Sequence, residues 1–161
     1  DCGKANDRFD LPNADYIIMY SSNPTWSAAG TPTYYFIQAK ESGTKFVTVD
    51  PLYNATAQIL DADWIPVRNG TDMAFMLATA YEMLRLDEEE GDIVDWDFLH
   101  TYTVGFDAES MPEDAKLDEN LKDYILGAYD GTPKTPEWAE PICGVPPEQV
   151  TEFARDRKSV V

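Results

Sequence analysis

The feature that most constrains this chain is a change of period, strand to helix to strand, between residues 15 and 51. Asp15-Tyr16-Ile17-Ile18-Met19-Tyr20 is an unbroken apolar run closed by Ser21-Ser22-Asn23-Pro24. Its length and β-branched content predict a strand buried on both faces. Pro32, Tyr35, Phe36 and Ala39 then recur at i, i+3, i+4 and i+7, with Pro32 suited to a first helical turn and Gly43 placed to end the segment. Lys45 to Val49 reads as a second strand, stopped at Asp50-Pro51. Such a unit closes as a right-handed βαβ crossover with parallel strands. The expected class is therefore α/β: a Rossmann-like, three-layer domain with a mainly parallel sheet and helices on both faces.

Further along, a short helix is expected from Asn54 to Leu60 and a third strand over Asp63-Trp64-Ile65-Pro66-Val67, followed by the turn Arg68-Asn69-Gly70. Thr71 is placed as the N-cap of a long helix with Asp72 in its first turn. Met73 to Leu86 is apolar nearly all round, which predicts a helix buried against the sheet. Tyr102 to Lys116 has no clear period, and Leu117 to Leu126 reads as a surface helix ended by Gly127. Two more helices have good start signals, one at Thr135-Pro136 and one at Pro147 with Val150, Phe153 and Ala154 on one face. The length of 161 residues suits one domain. Residues 1–86 would form its nucleotide-binding core and 87–161 an acidic, loop-rich and helical completion.

Composition removes several function classes. At 43% hydrophobic and 12% aromatic the chain is not of the disordered type. No apolar run approaches the roughly 20 residues that span a bilayer, so direct membrane insertion is not expected. A net charge of −18 argues against nucleic acid as a partner. Half of the acid lies between Glu82 and Asp123, and the run Asp87 to Asp92 lacks the alternating ligand spacing of a calcium loop, which leaves a solvated surface. Cys2 and Cys143 have no zinc-type spacing; they could pair, and Cys143 could equally be a small buried residue. His100 has no nucleophile motif beside it, so a structural or surface histidine is expected and a small hydrolase is not. The opening Asp1-Cys2-Gly3-Lys4 reads as the interior of a longer chain.

In an open parallel sheet ligands bind beyond the carboxyl ends of the strands. That rule selects Ser21-Ser22-Asn23-Pro24-Thr25-Trp26 after the first strand, Asp50-Pro51-Leu52-Tyr53-Asn54 after the second, and Asn69-Gly70-Thr71-Asp72 before the long helix. The first offers hydroxyls, an amide and backbone N–H groups suited to a diphosphate. Asp50 is placed to accept the hydroxyl protons of a ribose. Asp72 could accept two parallel hydrogen bonds, a pair that guanine presents at N1 and N2 and adenine does not. Each turn taken singly is also a common structural one. Neither GxGxxG after the first strand nor GxxxxGK[ST] occurs, so the usual dinucleotide and ATPase motifs are missing.

The runs Asp15 to Pro24, Phe46 to Ala57 and Asp63 to Ala74, in that order and spacing, resemble the molybdopterin oxidoreductases of the dimethyl sulfoxide reductase family. Tyr102 to Asp107, Tyr124 to Gly127 and Lys134 to Pro146 are similar to the catalytic chain of its anaerobic, membrane-anchored members. The resemblance implies a domain holding one guanosine diphosphate half of a bis(molybdopterin guanine dinucleotide) molybdenum cofactor. Ser21 to Pro24 would line the diphosphate and nucleoside, Asp50 to Asn54 the ribose and phosphate side, and Gly70 to Asp72 the guanine. The family often has Gly where Ser21 stands and Pro where Asn69 stands.

It further implies a parent enzyme that reduces a sulfoxide or N-oxide by oxygen-atom transfer. Its molybdenum ligand and any iron–sulfur cluster would lie outside these residues, so no catalytic or metal-binding residue, no turnover and no bound cofactor are expected of the piece alone. The implied partners are the remaining domains of the same chain, an iron–sulfur electron-transfer subunit and a membrane anchor, with export to the bacterial cell envelope. The competing reading is a stand-alone Rossmann-like interaction or regulatory domain whose acidic half docks a basic partner.

Overall fold

A computed structural model describes residues 7–27, 31–116 and 119–156. The chain divides into two compact units, the first ending at Val67 and the second beginning at Arg68. Asp1 to Lys4, with Cys2 among them, and Leu117, the expected start of a surface helix, lie outside the described residues.

The first unit is α/β. A 3-10 helix, Arg8–Asn13, leads into β1 (Tyr16–Tyr20), α1 (Pro24–Ser27), α2 (Pro32–Glu41), β2 (Lys45–Val49), α3 (Ala55–Leu60) and β3 (Asp63–Ile65). The strands lie in the order β1-β2-β3 and both pairings are parallel, with Tyr16 opposite Lys45, Tyr20 opposite Val49, and Val49 opposite Ile65. Helices α2 and α3 are the crossovers. Pro32 opens α2, where its missing N–H costs nothing, and Gly43 follows the end at φ +103°. Ala39, Phe46, Met19, Ala57 and Leu60 form the core between these helices and the sheet, with Phe36 meeting Phe46 edge to face at 6.2 Å.

Two expectations for the strands need correction. β1 is not buried on both faces: only Met19 is buried, whereas Phe46 to Val49 of β2 all are. An apolar run records that a strand avoids water, but its place between two neighbours is a tertiary fact, and here β2 takes the centre. The third strand also stops at Ile65, although Val67 is buried.

The second unit is helical: α4 (Asp72–Glu90), α5 (Trp96–Tyr102), a 3-10 turn at Ala108–Ser110, α6 (Leu121–Leu126), α7 (Pro136–Cys143) and α8 (Pro147–Asp156). Within this unit α4 packs chiefly on α7 and α8. Phe75 stacks on Phe153 with ring centres 5.1 Å apart. Val150, Phe153 and Ala154 are buried along one face of α8 as expected, and Thr135 caps α7 by accepting from the Trp138 N–H at 3.2 Å.

Thr71 precedes α4 but does not cap it with its side chain. Helix α5 was not foreseen; it buries none of its residues, so no apolar stripe announces it, and its start is set locally by Asp95 accepting from the Phe98 N–H at 2.8 Å. Helix α6 begins at Leu121 because Asn120 is its cap, accepting from the Asp123 N–H. Cys143 is a buried free thiol. No helix among the described residues is long and apolar enough to cross a membrane.

Candidate cofactor-binding site

The loops after β1 and β2 meet in the first unit. Ser21 leaves β1 with φ +45°, the left-handed region that favours glycine, while its N–H still donates to the Val49 carbonyl at 2.9 Å. Serine adopts here a conformation that glycine takes at less cost. Asn54 holds the second loop. Its Oδ1 accepts from the Ala57 N–H at 3.0 Å, capping α3, and its Nδ2 donates to Asp50 Oδ2 at 3.1 Å and to the Ser22 carbonyl at 3.4 Å.

Asp50 is engaged on both oxygens, Oδ2 by Asn54 and Oδ1 by the Leu52 N–H at 2.8 Å. Its carbonyl accepts from the Trp64 indole at 2.7 Å, and Trp64 meets Tyr53 edge to face. Each carboxylate oxygen has a second lone pair, so Asp50 keeps capacity to accept a ribose hydroxyl. Leu52, Tyr53 and Trp26 stand exposed beside this network.

Two threonines complete the arrangement: Thr25, within the first loop that the sequence selects, and Thr56, which no sequence signal marks. The Thr25 N–H donates to Thr56 Oγ1 at 3.1 Å, and the Thr56 hydroxyl donates to Asn23 Oδ1 at 2.8 Å. Their partners lie 31 and 33 residues away, and no local pattern signals such pairing. Thr25 Oγ1 is itself buried with no hydrogen-bond partner among the described residues.

The third predicted loop belongs to the second unit. Gly70 takes φ +75°, and both the Thr71 N–H (3.2 Å) and its hydroxyl (2.7 Å) donate to the Arg68 carbonyl. Thr71 therefore closes the turn that leads into α4. Asp72 follows as the first residue of α4, half-buried, and its carboxylate has no partner among the described residues. An unpartnered carboxylate in a first helical turn is favoured by the positive end of the helix dipole.

The remaining candidates are structural. His100 pairs through Nε2 with Asp107 Oδ2 at 2.8 Å, and that bond, working against burial and aided by Ser110, holds the Asp107 carboxyl below its ordinary value. Ser110 Oγ is engaged with the Asp107 backbone, so no activated nucleophile accompanies the pair. Asp87 does not belong to a solvated run; it accepts from the Ile93 and Val94 N–H groups and from the Trp96 indole, which ties the end of α4 to α5. No group of three or more His, Cys, Asp or Glu among the described residues could hold a metal ion.

A parallel sheet with helical crossovers and polar loops beyond the strand ends defines an α/β domain of the kind whose ligands gather at those ends. The Molybdopterin oxidoreductase family model matches residues 3–90, and the chain belongs to that family. It is 40% identical over 155 residues to dimethyl sulfoxide reductase DmsA of Haemophilus influenzae, covering 94% of this chain and 19% of the relative. Identity to DmsA of Escherichia coli is 37%, over 94% of this chain and 18% of that one. Trimethylamine-N-oxide reductase of Haemophilus influenzae is 37% identical over 91% of this chain and 16% of its own length. The chain thus spans under a fifth of the curated relatives it matches. Among solved structures, acetylene hydratase from Pelobacter acetylenicus shares the fold at a TM-score of 0.58, with 21% identity over 88% of this chain and 16% of that one.

Proposed function

We propose that this chain holds the guanosine diphosphate part of one molybdopterin guanine dinucleotide in a molybdenum oxidoreductase of the dimethyl sulfoxide reductase type. The observation that carries the reading is the cross-linked pair of loops at the ends of β1 and β2, Asn23–Thr56 and Ser22–Asn54–Asp50, in a chain of this family. The residues fit the group: the first unit offers N–H and O–H donors, a buried orphan hydroxyl at Thr25, and a carboxylate with spare lone pairs at Asp50. These are donors for a diphosphate and an acceptor for a ribose. In the second unit, Gly70, Thr71 and Asp72 present the unpartnered carboxylate that a guanine N1–H and N2–H pair requires.

On this reading Ser21, Ser22, Asn23 and Pro24 line the diphosphate and nucleoside, and Asp50, Pro51, Leu52, Tyr53 and Asn54 the ribose and phosphate side. Their hydrogen bonds suit them to different tasks. Asn54 orients Asp50 and the first loop through its own amide, while Asn23 and Asp50 keep groups to offer a ligand. When bound, the cofactor supplies two-electron oxygen-atom transfer from a sulfoxide or N-oxide, and the chain's part is to bind and orient it. Further domains of the same protein, an iron–sulfur electron-transfer subunit, a membrane anchor and export to the cell envelope complete the proposal.

The test is calorimetric titration of the full-length, cofactor-free protein with GDP, with ADP as control and Asp72→Asn as variant. GDP is expected to bind in preference to ADP, and the variant to lose that preference. Equal affinity for the two nucleotides, or none for either, would overturn the reading.

A further inference from the structure

We propose that Thr56 is a positioning residue, orienting the Asn23 amide so that its Nδ2 donates to the diphosphate; the inference rests on the reading of these loops as the nucleotide site. Thr56 is fully buried, so its hydroxyl must find its partners within the protein. The Thr25 backbone N–H can only donate, and it lies 3.1 Å from Oγ1. The hydroxyl accepts there, and its single hydrogen then needs an acceptor, which Asn23 Oδ1 supplies at 2.8 Å. With Oδ1 turned to Thr56, Nδ2 faces away from it, and Nδ2 has no partner among the described residues.

That orientation matters because of charge. Neither loop, residues 21–27 or 50–54, contains Lys or Arg, and the second contributes Asp50 to a chain of net charge −18. An anion held here must be met by neutral N–H and O–H dipoles, and an amide rotated by half a turn would offer it an oxygen. Thr56 decides which end of the amide is presented. It does so from α3, through a hydroxyl that the ligand never touches.

The experiment titrates the full-length, cofactor-free protein with GDP and, separately, with guanosine, and compares the ratio of the two affinities. Thr56→Val should lower GDP affinity roughly tenfold, the size of one charge-assisted hydrogen bond, and leave guanosine affinity unchanged. Thr56→Ser should restore the wild-type ratio. Asn23→Asp keeps the bond from Thr56 but replaces the donor by a charged oxygen, and should narrow the ratio at least as far. It also decides the matter if Thr56→Val does not fold. Binding by the wild type with an unchanged ratio in Thr56→Val and Asn23→Asp would overturn this inference alone, whether or not both affinities fell together. No binding of either ligand by the wild type would overturn the nucleotide reading and this inference with it.

Discussion

In the first unit the polar side chains that organise structure, Asn23, Asp50, Asn54 and, from the first turn of α3, Thr56, gather beyond the strand ends and pair mostly as neutral groups. In the second, charge is carried inward. Glu82 is buried in the middle of α4, where it takes two bonds from the Arg85 guanidinium (3.0 and 2.8 Å) and one from the Thr151 hydroxyl of α8 (3.0 Å). The Glu82 bonds, with a further one to Glu89 at 2.7 Å, hold the guanidinium pKa above the usual arginine range. Lys134 is buried beside the rings of Tyr124 and Trp138, 4.2 and 5.5 Å from their centres, and donates to Asp130. The ion pairs between described residues fall in this unit. The contrast separates two uses of polarity. Buried charge in the second unit fixes how helices pack, whereas the network in the first sets loop geometry and leaves groups unpaired for a ligand.

The contrast breaks most sharply at Glu82. Glu82→Ala removes two bonds from Arg85, which keeps Glu89, and one from Thr151, which keeps the Pro147 carbonyl, and should cost about 2 kcal/mol in urea unfolding. Asn54→Ala, which removes a cap and a loop strut, should cost about 1 kcal/mol while weakening GDP binding. The reverse ranking would mean that the first unit's network serves stability first. Ser21→Gly relieves a left-handed serine, and should gain roughly 0.5 kcal/mol after glycine's entropy is counted.

Acid titration supplies a finer comparison. Burial works against the Asp87 charge, but the Val94 N–H, the Trp96 indole and the Ile93 N–H outweigh it, and the carboxyl sits below its ordinary value of 3.8. Its contribution to stability is therefore complete above that value and lost as the pH falls toward the lowered one. Asp87→Asn should flatten the fall in stability below about pH 4, read by unfolding at stepped pH. An unchanged slope would remove Asp87 from the acid response.

Local sequence carried much of this fold. Pro32, Asn54, Thr135 and Gly127 mark helix ends where the backbone has few choices, and α2, α3, α7 and α8 start at or within one residue of where those signals place them. The loops at the strand ends were legible for the same reason, since the rule that ligands gather there depends only on strand direction. Helix α5 and the true role of Asp87 were not legible. A helix that buries nothing leaves no periodic trace, and an acid that caps a distant turn looks like any other acid in a run.

Residue type at fixed short spacing was enough for the βαβ order, for the starts of α2, α3, α7 and α8, and for the family. Only the tertiary structure decided that β2 rather than β1 takes the centre of the sheet and that Glu82 and Lys134 lie inside. The tertiary structure also decided that Thr56 faces Asn23. Each of these is a matter of which distant segment arrives beside a residue, and burial and hydrogen-bond direction follow from that neighbour rather than from the residue's own type.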